Sequence, residues 1–344
     1  MYRGGGCVSI EDVTLPELQP GELLVRVTAC GICPGETLRW YVDAKAPFGL
    51  GHEPVGVIEA CGPGAAPARP WEKPFSAGER VFVHHHAPCM RCRRCRRGDY
   101  VQCRTWRATR LVPGGMSEYA VVPSENVHAD VLRLPDSMSD ETATLIEPLA
   151  TVVKSLRRGG MRSGDVVLVI GLGVMGLLHV ALAHHRNAGL VIAADRVGSR
   201  LERARELGAR RTIDVSAAPI SDLVREATDG EGADVVVVGP GSKEALDAAA
   251  SAVGPGGTIV VFTPLAPGET WPLPVNQFYF KDVGVVTSYS AGPPDTREAL
   301  ELLAGGLNVA PLFTHRFGLD DVAEAYALVE TAQDALKVVV TPNR

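Results

Sequence analysis

Long apolar runs are missing from this 344-residue chain: DVVLVI, ADVVVV and TIVVF each stop after about half a dozen residues, far short of the roughly 18 to 20 that cross a bilayer. No transmembrane helix is expected, and the opening MYRGGGCVSIEDV lacks the apolar segment of a secretory leader. An excess of positive charge is missing too. Thirty-four Lys and Arg against 40 Asp and Glu leave a net charge of -6, so neither phosphate backbones nor anionic lipid would be attracted globally. Low-complexity stretches and internal repeats are absent, and 46% hydrophobic with 22% charged residues excludes a disordered chain. With 37 Gly and 25 Pro the chain is turn-rich, and at roughly 150 residues per domain it should hold about two cores. The expectation is a cytoplasmic protein, where thiols stay reduced and clustered Cys more often means metal than disulfide.

Of eight cysteines, Cys89, Cys92, Cys95 and Cys103 form C-x2-C-x2-C-x7-C. Two-residue gaps let a tight loop turn successive sulfurs inward, and four thiolates make a closed tetrahedral zinc site, structural because no position is open. Arg91, Arg93, Arg94, Arg96 and Arg97 are interleaved with them and could offset the thiolate charge. The same pattern also admits a zinc ribbon whose arginines grip nucleic acid, an iron–sulfur cluster or unrelated thiols.

Cys33, His52 and Glu53 supply thiolate, imidazole and carboxylate, a mixed set that zinc tolerates and that leaves a fourth position open. Taken alone they equally describe a buried His and an inert thiol. Cys30 and Cys61 sit in apolar stretches that read as packed strands, Cys7 carries no signal, and His84–His86 read as a strand end beside a cleft, with a metal site as the alternative.

In mid-chain the strand-like DVVLVI runs into GLGVMG and then LLHVALAHH, the order of strand, glycine turn and helix that a dinucleotide pyrophosphate requires. Gly171 permits the turn, Gly173 lets backbone approach the phosphates, Val174 and Met175 open the helix, and Gly176 packs helix on strand. A second strand ends in Asp195, nineteen residues on, where a carboxylate accepts ribose hydroxyls and disfavours a 2′-phosphate. NAD is expected ahead of NADP, although Arg196 and Arg200 stand next to it. SRLERARELGA offers a capping box in Ser199 and Glu202. ADVVVVG, KEALDAAASAV and GTIVVF continue the alternation, giving a Rossmann domain of doubly wound parallel sheet over 151–289. The first 150 residues read instead as short strands broken by Gly and Pro, a mainly β domain.

Cys33, GHE at Gly51–Glu53, GERV at Gly78–Val81, the four-Cys loop, GGMSEYAVVP, IEPLA at Ile146–Ala150, GLGVMG and the closing LKVVVTP fall in an order that resembles the zinc-dependent medium-chain dehydrogenases over essentially the whole chain. Glu147 within IEPLA makes the resemblance closest to the sorbitol (polyol) and threonine dehydrogenase branch. The resemblance implies an α/β protein: a GroES-like catalytic domain, 1–150, completed by 290–344, around the Rossmann domain. It implies two zinc ions per chain, one structural on the four cysteines and one catalytic on Cys33, His52 and either Glu53 or Glu147, the fourth position going to water or substrate.

One departure concerns the proton. Similar enzymes carry Ser or Thr two residues after the Cys ligand, whereas Gly35 stands here, in Cys33-Pro34-Gly35-Glu36-Thr37. Thr37 becomes the candidate relay, with a turn or capping hydroxyl as its other reading and Glu36, or ordered water with a ribose hydroxyl, as alternatives. The expected activity is NAD-dependent interconversion of a secondary alcohol (polyol, cyclitol or sugar derivative) and its ketone, zinc acting as Lewis acid. Threonine-like amino-alcohol oxidation and a non-catalytic zinc and NAD redox sensor are the alternatives. The expected partners are small molecules, with no nucleic acid or membrane, and the resemblance suggests a homodimer or homotetramer.

Overall fold

The computed structural model describes residues 1–69, 71–331 and 335–343. The chain divides into two compact units, one of Met1–Ala150, Ser290–Gly306 and Phe313–Arg344, the other of Thr151–Tyr289 and Leu307–Leu312. The sequence reading placed 307–312 with the catalytic part. In the structure Arg203, on the helix Gly198–Glu206, donates to the Pro311 carbonyl at 2.9 Å and ties that short segment to the second unit.

The first unit is built on a sheet in the order Phe313–Gly318, Lys337–Thr341, Leu23–Gly31, Glu53–Cys61, Arg80–Val83, Val131–Arg133, with Tyr119–Val122 also paired to Leu23–Gly31. Leu23, Val25 and Val27 alternate inward along their strand, and from Ala29 to Gly31 every residue is buried. The alternation expected of a one-sided strand thus ends where the sheet is covered on both faces. At that end Gly31 lies opposite Glu53 on one neighbour and opposite Val339 on the other. The last strand of the chain is therefore one strand away from Glu53–Cys61, with Gly31 between Val339 and Glu53.

The second unit holds six strands, all parallel, in the order Arg211–Asp214, Leu190–Asp195, Val166–Ile170, Ala233–Val238, Val253–Val261, Gly284–Thr287. Continuous apolar runs suit strands buried on both faces, and Leu168, Ile192, Val236 and Ile259 are fully buried in its core. Chain direction across the sheet reverses at Val166–Ile170, the switch point where such sheets bind ligands, and GLGVMG leaves from that strand. The capping box expected at Ser199 and Glu202 does not form: the helix begins at Gly198 with Val197 as its cap residue and no side-chain cap. Asp195 Oδ1 instead takes the backbone N–H groups of Arg196 (2.7 Å) and Val197 (2.9 Å), ordering the turn from the strand side.

His179 sits fully buried on the helix Val174–His185. Its Nδ1–H donates to the Met175 carbonyl at 2.7 Å, and its Nε2 accepts from the Ser155 hydroxyl at 2.8 Å. Burial lowers its pKa to about 4. The native state therefore keeps it neutral, while the unfolded chain protonates it below about 6.5. The stabilisation is complete above pH 6.5 and is lost as pH falls toward 4, to about 3 kcal/mol in all. In thermal melts between pH 7 and 4.5, His179→Gln is expected to lose less stability on acidification than the parent chain; parallel loss in both would contradict this assignment.

Candidate metal and cofactor sites

Cys33, His52 and Glu53 each present a ligand atom within 4.8 Å of the others. Cys33 precedes the 3-10 turn Pro34–Thr37, and its sulfur accepts the Gly35 N–H at 3.4 Å. His52 is oriented by Glu36: Nδ1 lies 2.9 Å from Oε1, which also accepts the Gly51 N–H at 2.9 Å. Nε2 is left as the lone-pair donor, the arrangement by which carboxylates aim metal-binding imidazoles. Glu36 Oε2 in turn accepts the Tyr326 hydroxyl at 2.6 Å. Burial opposes the charged ring of His52, but Glu36 and Cys33 outweigh it and hold its pKa well above the ordinary histidine value. A metal must therefore displace a proton to bind.

Glu53 Oε2 pairs with the Lys337 ammonium, both side chains 1% exposed. A Cβ on Gly31 would run into both partners, so glycine there is what lets the pair close. Neither Lys337, Tyr326 nor Gly31 stands out as a site residue in the sequence, and Glu36 enters it only as an alternative proton relay, not as the partner of His52. Their roles depend on strand neighbours nearly the whole chain away, and only the closing LKVVVTP was available as a pointer.

Glu147 lies in the first turn of the helix Ile146–Arg158, and burial raises its pKa. Its ligand oxygen groups with His84 and His85, again within 4.8 Å. The two donor sets are neighbours, since the His52 and His85 rings are 4.9 Å apart. Thr37's hydroxyl donates to the Pro34 carbonyl at 2.9 Å.

Cys89, Cys92, Cys95 and Cys103 come together as free thiols. Sulfur separations are 3.5 Å for Cys92–Cys95, 3.8 Å for Cys92–Cys103 and 3.6 Å for Cys89–Cys103. Four thiolates at zinc bond lengths stand about 3.8 Å apart along a tetrahedron edge, so the spacing fits the ion. Burial raises the Cys103 thiol, yet backbone N–H groups of Cys89, Trp106 and Thr105 prevail and bring it down to about 6. The five arginines are exposed; they face water. Apart from the cysteines, the lobe's own core among the described residues is Val101, Trp106 and Tyr100, a small apolar cluster to which a bound ion would add folding energy.

In the second unit Gly171 has φ +86°, a conformation open to glycine. A Cβ on Gly176 would strike the Gly171 carbonyl, whereas one on Gly173 would meet nothing within 4 Å. Gly173 thus faces an open cradle, at the cap of the helix Val174–His185, whose first N–H groups have no side-chain cap. Those are the terms on which a helix N-terminus takes a pyrophosphate. Asp195 ends the neighbouring strand with Arg200 Nη1 3.9 Å away. Its Oδ2 accepts the Leu172 N–H at 2.6 Å, so the carboxylate expected to read the ribose also holds the glycine turn in place.

Residues 19–136 match the alcohol dehydrogenase GroES-like domain and residues 174–305 the zinc-binding dehydrogenase domain. The chain is 32% identical to L-threonine 3-dehydrogenase of Pyrococcus horikoshii, over 96% of this chain and 94% of that one. It belongs to the zinc-dependent medium-chain dehydrogenases. Sorbitol dehydrogenase of Bacillus subtilis is 29% identical over 98% of this chain and 95% of its own length. Among solved structures, the alcohol dehydrogenase TADH of Thermus sp. ATN1 superposes with a TM-score of 0.86 at 31% identity, covering 99% and 98% of the two chains. The chain is accordingly an NAD(P)-dependent dehydrogenase acting on CH–OH groups. No helix among the described residues is long and apolar enough to cross a membrane.

In this dehydrogenase Tyr326 is the outermost link to His52. Tyr326→Phe leaves the buried Glu36 Oε2 without its donor, a cost of about 1–3 kcal/mol, and is expected to weaken metal binding at Cys33 and His52 by about 10–100-fold. Competition with a chelator measures it; unchanged affinity would remove Tyr326 from the chain of contacts.

Proposed function

We propose that this dehydrogenase uses NAD to interconvert a secondary alcohol of polyol, cyclitol or sugar-derivative type and its ketone. The observation that carries the reading is the pairing of two donor sets with different openness: four clustered sulfurs, and a thiol–imidazole–carboxylate group with room for one more ligand. Cys33, His52 and Glu53 would hold the catalytic zinc, and Cys89, Cys92, Cys95 and Cys103 the structural one. When bound, the catalytic ion supplies Lewis-acid polarisation of the substrate oxygen, and NAD supplies the hydride acceptor. Glu36 keeps the proton of His52 on Nδ1, so that Nε2 faces the donor set. Lys337 balances the charge of Glu53 while leaving Oε1 for the ion.

Gly35 has no hydroxyl to pass a proton. Thr37 is the hydroxyl on that turn, and moving a proton through it requires its bond to the Pro34 carbonyl to switch. In the Rossmann unit, Gly171, Gly173, Val174, Met175 and Gly176 would cradle the pyrophosphate. Asp195 favours a free ribose 2′-hydroxyl over a phosphate; Arg196 and Arg200 are the residues nearest to offset that preference. The edge strand Gly284–Thr287 and the exposed Tyr279 (75%) and Phe280 (78%) support self-association through this unit.

The similarity to L-threonine 3-dehydrogenase favours a second reading, oxidation of a threonine-like amino alcohol. Purified protein with a panel of polyols and amino alcohols, followed at the NADH absorbance band with and without chelator, separates the two. Turnover is expected to be faster with NAD than NADP, to be lost with chelator, and to be abolished in folded Cys33→Ser. Equal turnover in Cys33→Ser, or none with any alcohol, would overturn the site or the activity.

A further inference from the structure

Four cationic side chains and two carboxylates line a cavity of about 400 Å³ that lies wholly within the first unit: Arg69, Lys73, Arg133 and Arg297, against Glu72 and Glu301. Arg69 precedes the strand Arg80–Val83, Arg133 closes the strand Val131–Arg133, and Arg297 stands on the helix Pro293–Ala304. Most of these charges are already matched. Lys73 Nζ and Arg133 Nε meet Glu79 at 2.8 and 3.2 Å, Glu72 lies 2.5 Å from Arg69 Nη2 and 3.8 Å from Arg133 Nη1, and Glu301 is exposed. Arg297 is the exception. Its Nη2 donates to the Ala129 carbonyl at 2.7 Å, while Asp130, the next residue, is taken by the His84 Nδ1–H at 2.6 Å and the Thr296 hydroxyl at 2.5 Å. The buried Nε–H of Arg297 has no hydrogen-bond partner among the described residues, and the same holds for the Nε–H of Arg69. Burial lowers the Arg297 pKa, against the opposing charge of Asp130. Two guanidinium donors buried without acceptors at the wall of one cavity are costly unless a ligand supplies the acceptor.

We propose that this cavity binds a phosphate group, free or at the end of a small ester, through the Nε edges of Arg297 and Arg69. A guanidinium edge offers parallel N–H donors that fit an oxyanion. A planar carboxylate suits one such edge, whereas a tetrahedral phosphate has enough oxygens to accept from two guanidinium groups that arrive from different elements. Leu132 and Leu300 complete the wall and give the rest of an ester an apolar surface. None of the lining residues belongs to the donor sets of Cys33 or of the four cysteines, or to the glycine turn, so the inference does not depend on which alcohol is oxidised.

Isothermal titration calorimetry tests this on the intact zinc-loaded protein, saturated with NAD so that the glycine turn is filled, in buffer free of phosphate and sulfate. The titrants are inorganic phosphate, phenyl phosphate and acetate. Both phosphates are expected to bind at one equivalent, and acetate more weakly. A tighter phenyl phosphate assigns an ester as the ligand; equal or weaker binding assigns free phosphate. Arg297→Met, which keeps the length and removes the charge, should weaken both phosphates by about 10–100-fold, with folding followed by circular dichroism. Arg69→Gln, outside any helix or strand, serves if Arg297→Met fails to fold. Binding of neither phosphate, acetate as tight as phosphate, or unchanged affinity in the folded arginine variants would overturn the proposal.

Discussion

A lysine with its ammonium buried has to meet a counter-charge, and in this chain Lys337 meets Glu53. Taking two such ions out of water costs several kcal/mol each, and removing one partner leaves a charge whose penalty is about 3–5 kcal/mol. Several features of the first unit follow from closing that pair. The last strand, Lys337–Thr341, must lie against Leu23–Gly31, with Gly31 facing Glu53 on one side and Val339 on the other. Residue 31 must lack a side chain. The donor set of Cys33, His52 and Glu53 is thereby tied to the far end of the chain, with Glu53 Oε2 paired to Lys337.

Around that junction the structure repeats one device. A buried carboxylate takes the Nδ1–H of a histidine and turns Nε2 inward, Glu36 for His52 and Asp130 for His84. Each carboxylate is itself held by a hydroxyl, from Tyr326 and from Thr296. Positioning of this kind is preorganisation: the imidazoles stand ready before any ligand arrives, and the ordering cost is met by folding. The second unit applies the idea to backbone, where Asp195 gathers three N–H groups of the glycine turn and the following loop.

What could be read from sequence was what is local. The C-x2-C-x2-C-x7-C spacing brings four sulfurs together within one loop, and GLGVMG follows a buried strand directly, so short-range geometry carries both signals. The parallel sheet was legible because strands buried on both faces are continuous apolar runs. The Glu53–Lys337 pair, 284 residues apart, and the Glu36–Tyr326 bond, 290 apart, leave no local trace. Ser199 and Glu202 had the pattern of a capping box, but Asp195 ordered that turn from across the strand. Glu147 and Glu53 are alternative carboxylates in the sequence, and the grouping of Glu147 with His84 and His85 is likewise visible only in the fold. The run of three histidines read as a strand end, and the strand does stop at Val83; that Asp130 would orient the first of them could be known only from the fold.

Anomalous scattering at the zinc absorption edge, from crystals of the zinc-loaded protein with NAD, tests the account most directly. A strong peak bounded by Cys33 Sγ, His52 Nε2 and a glutamate oxygen, with another among Cys89, Cys92, Cys95 and Cys103, is the predicted result. A four-cysteine peak with no density at Cys33 and His52 in an active crystal form would contradict the assignment of catalysis to that donor set.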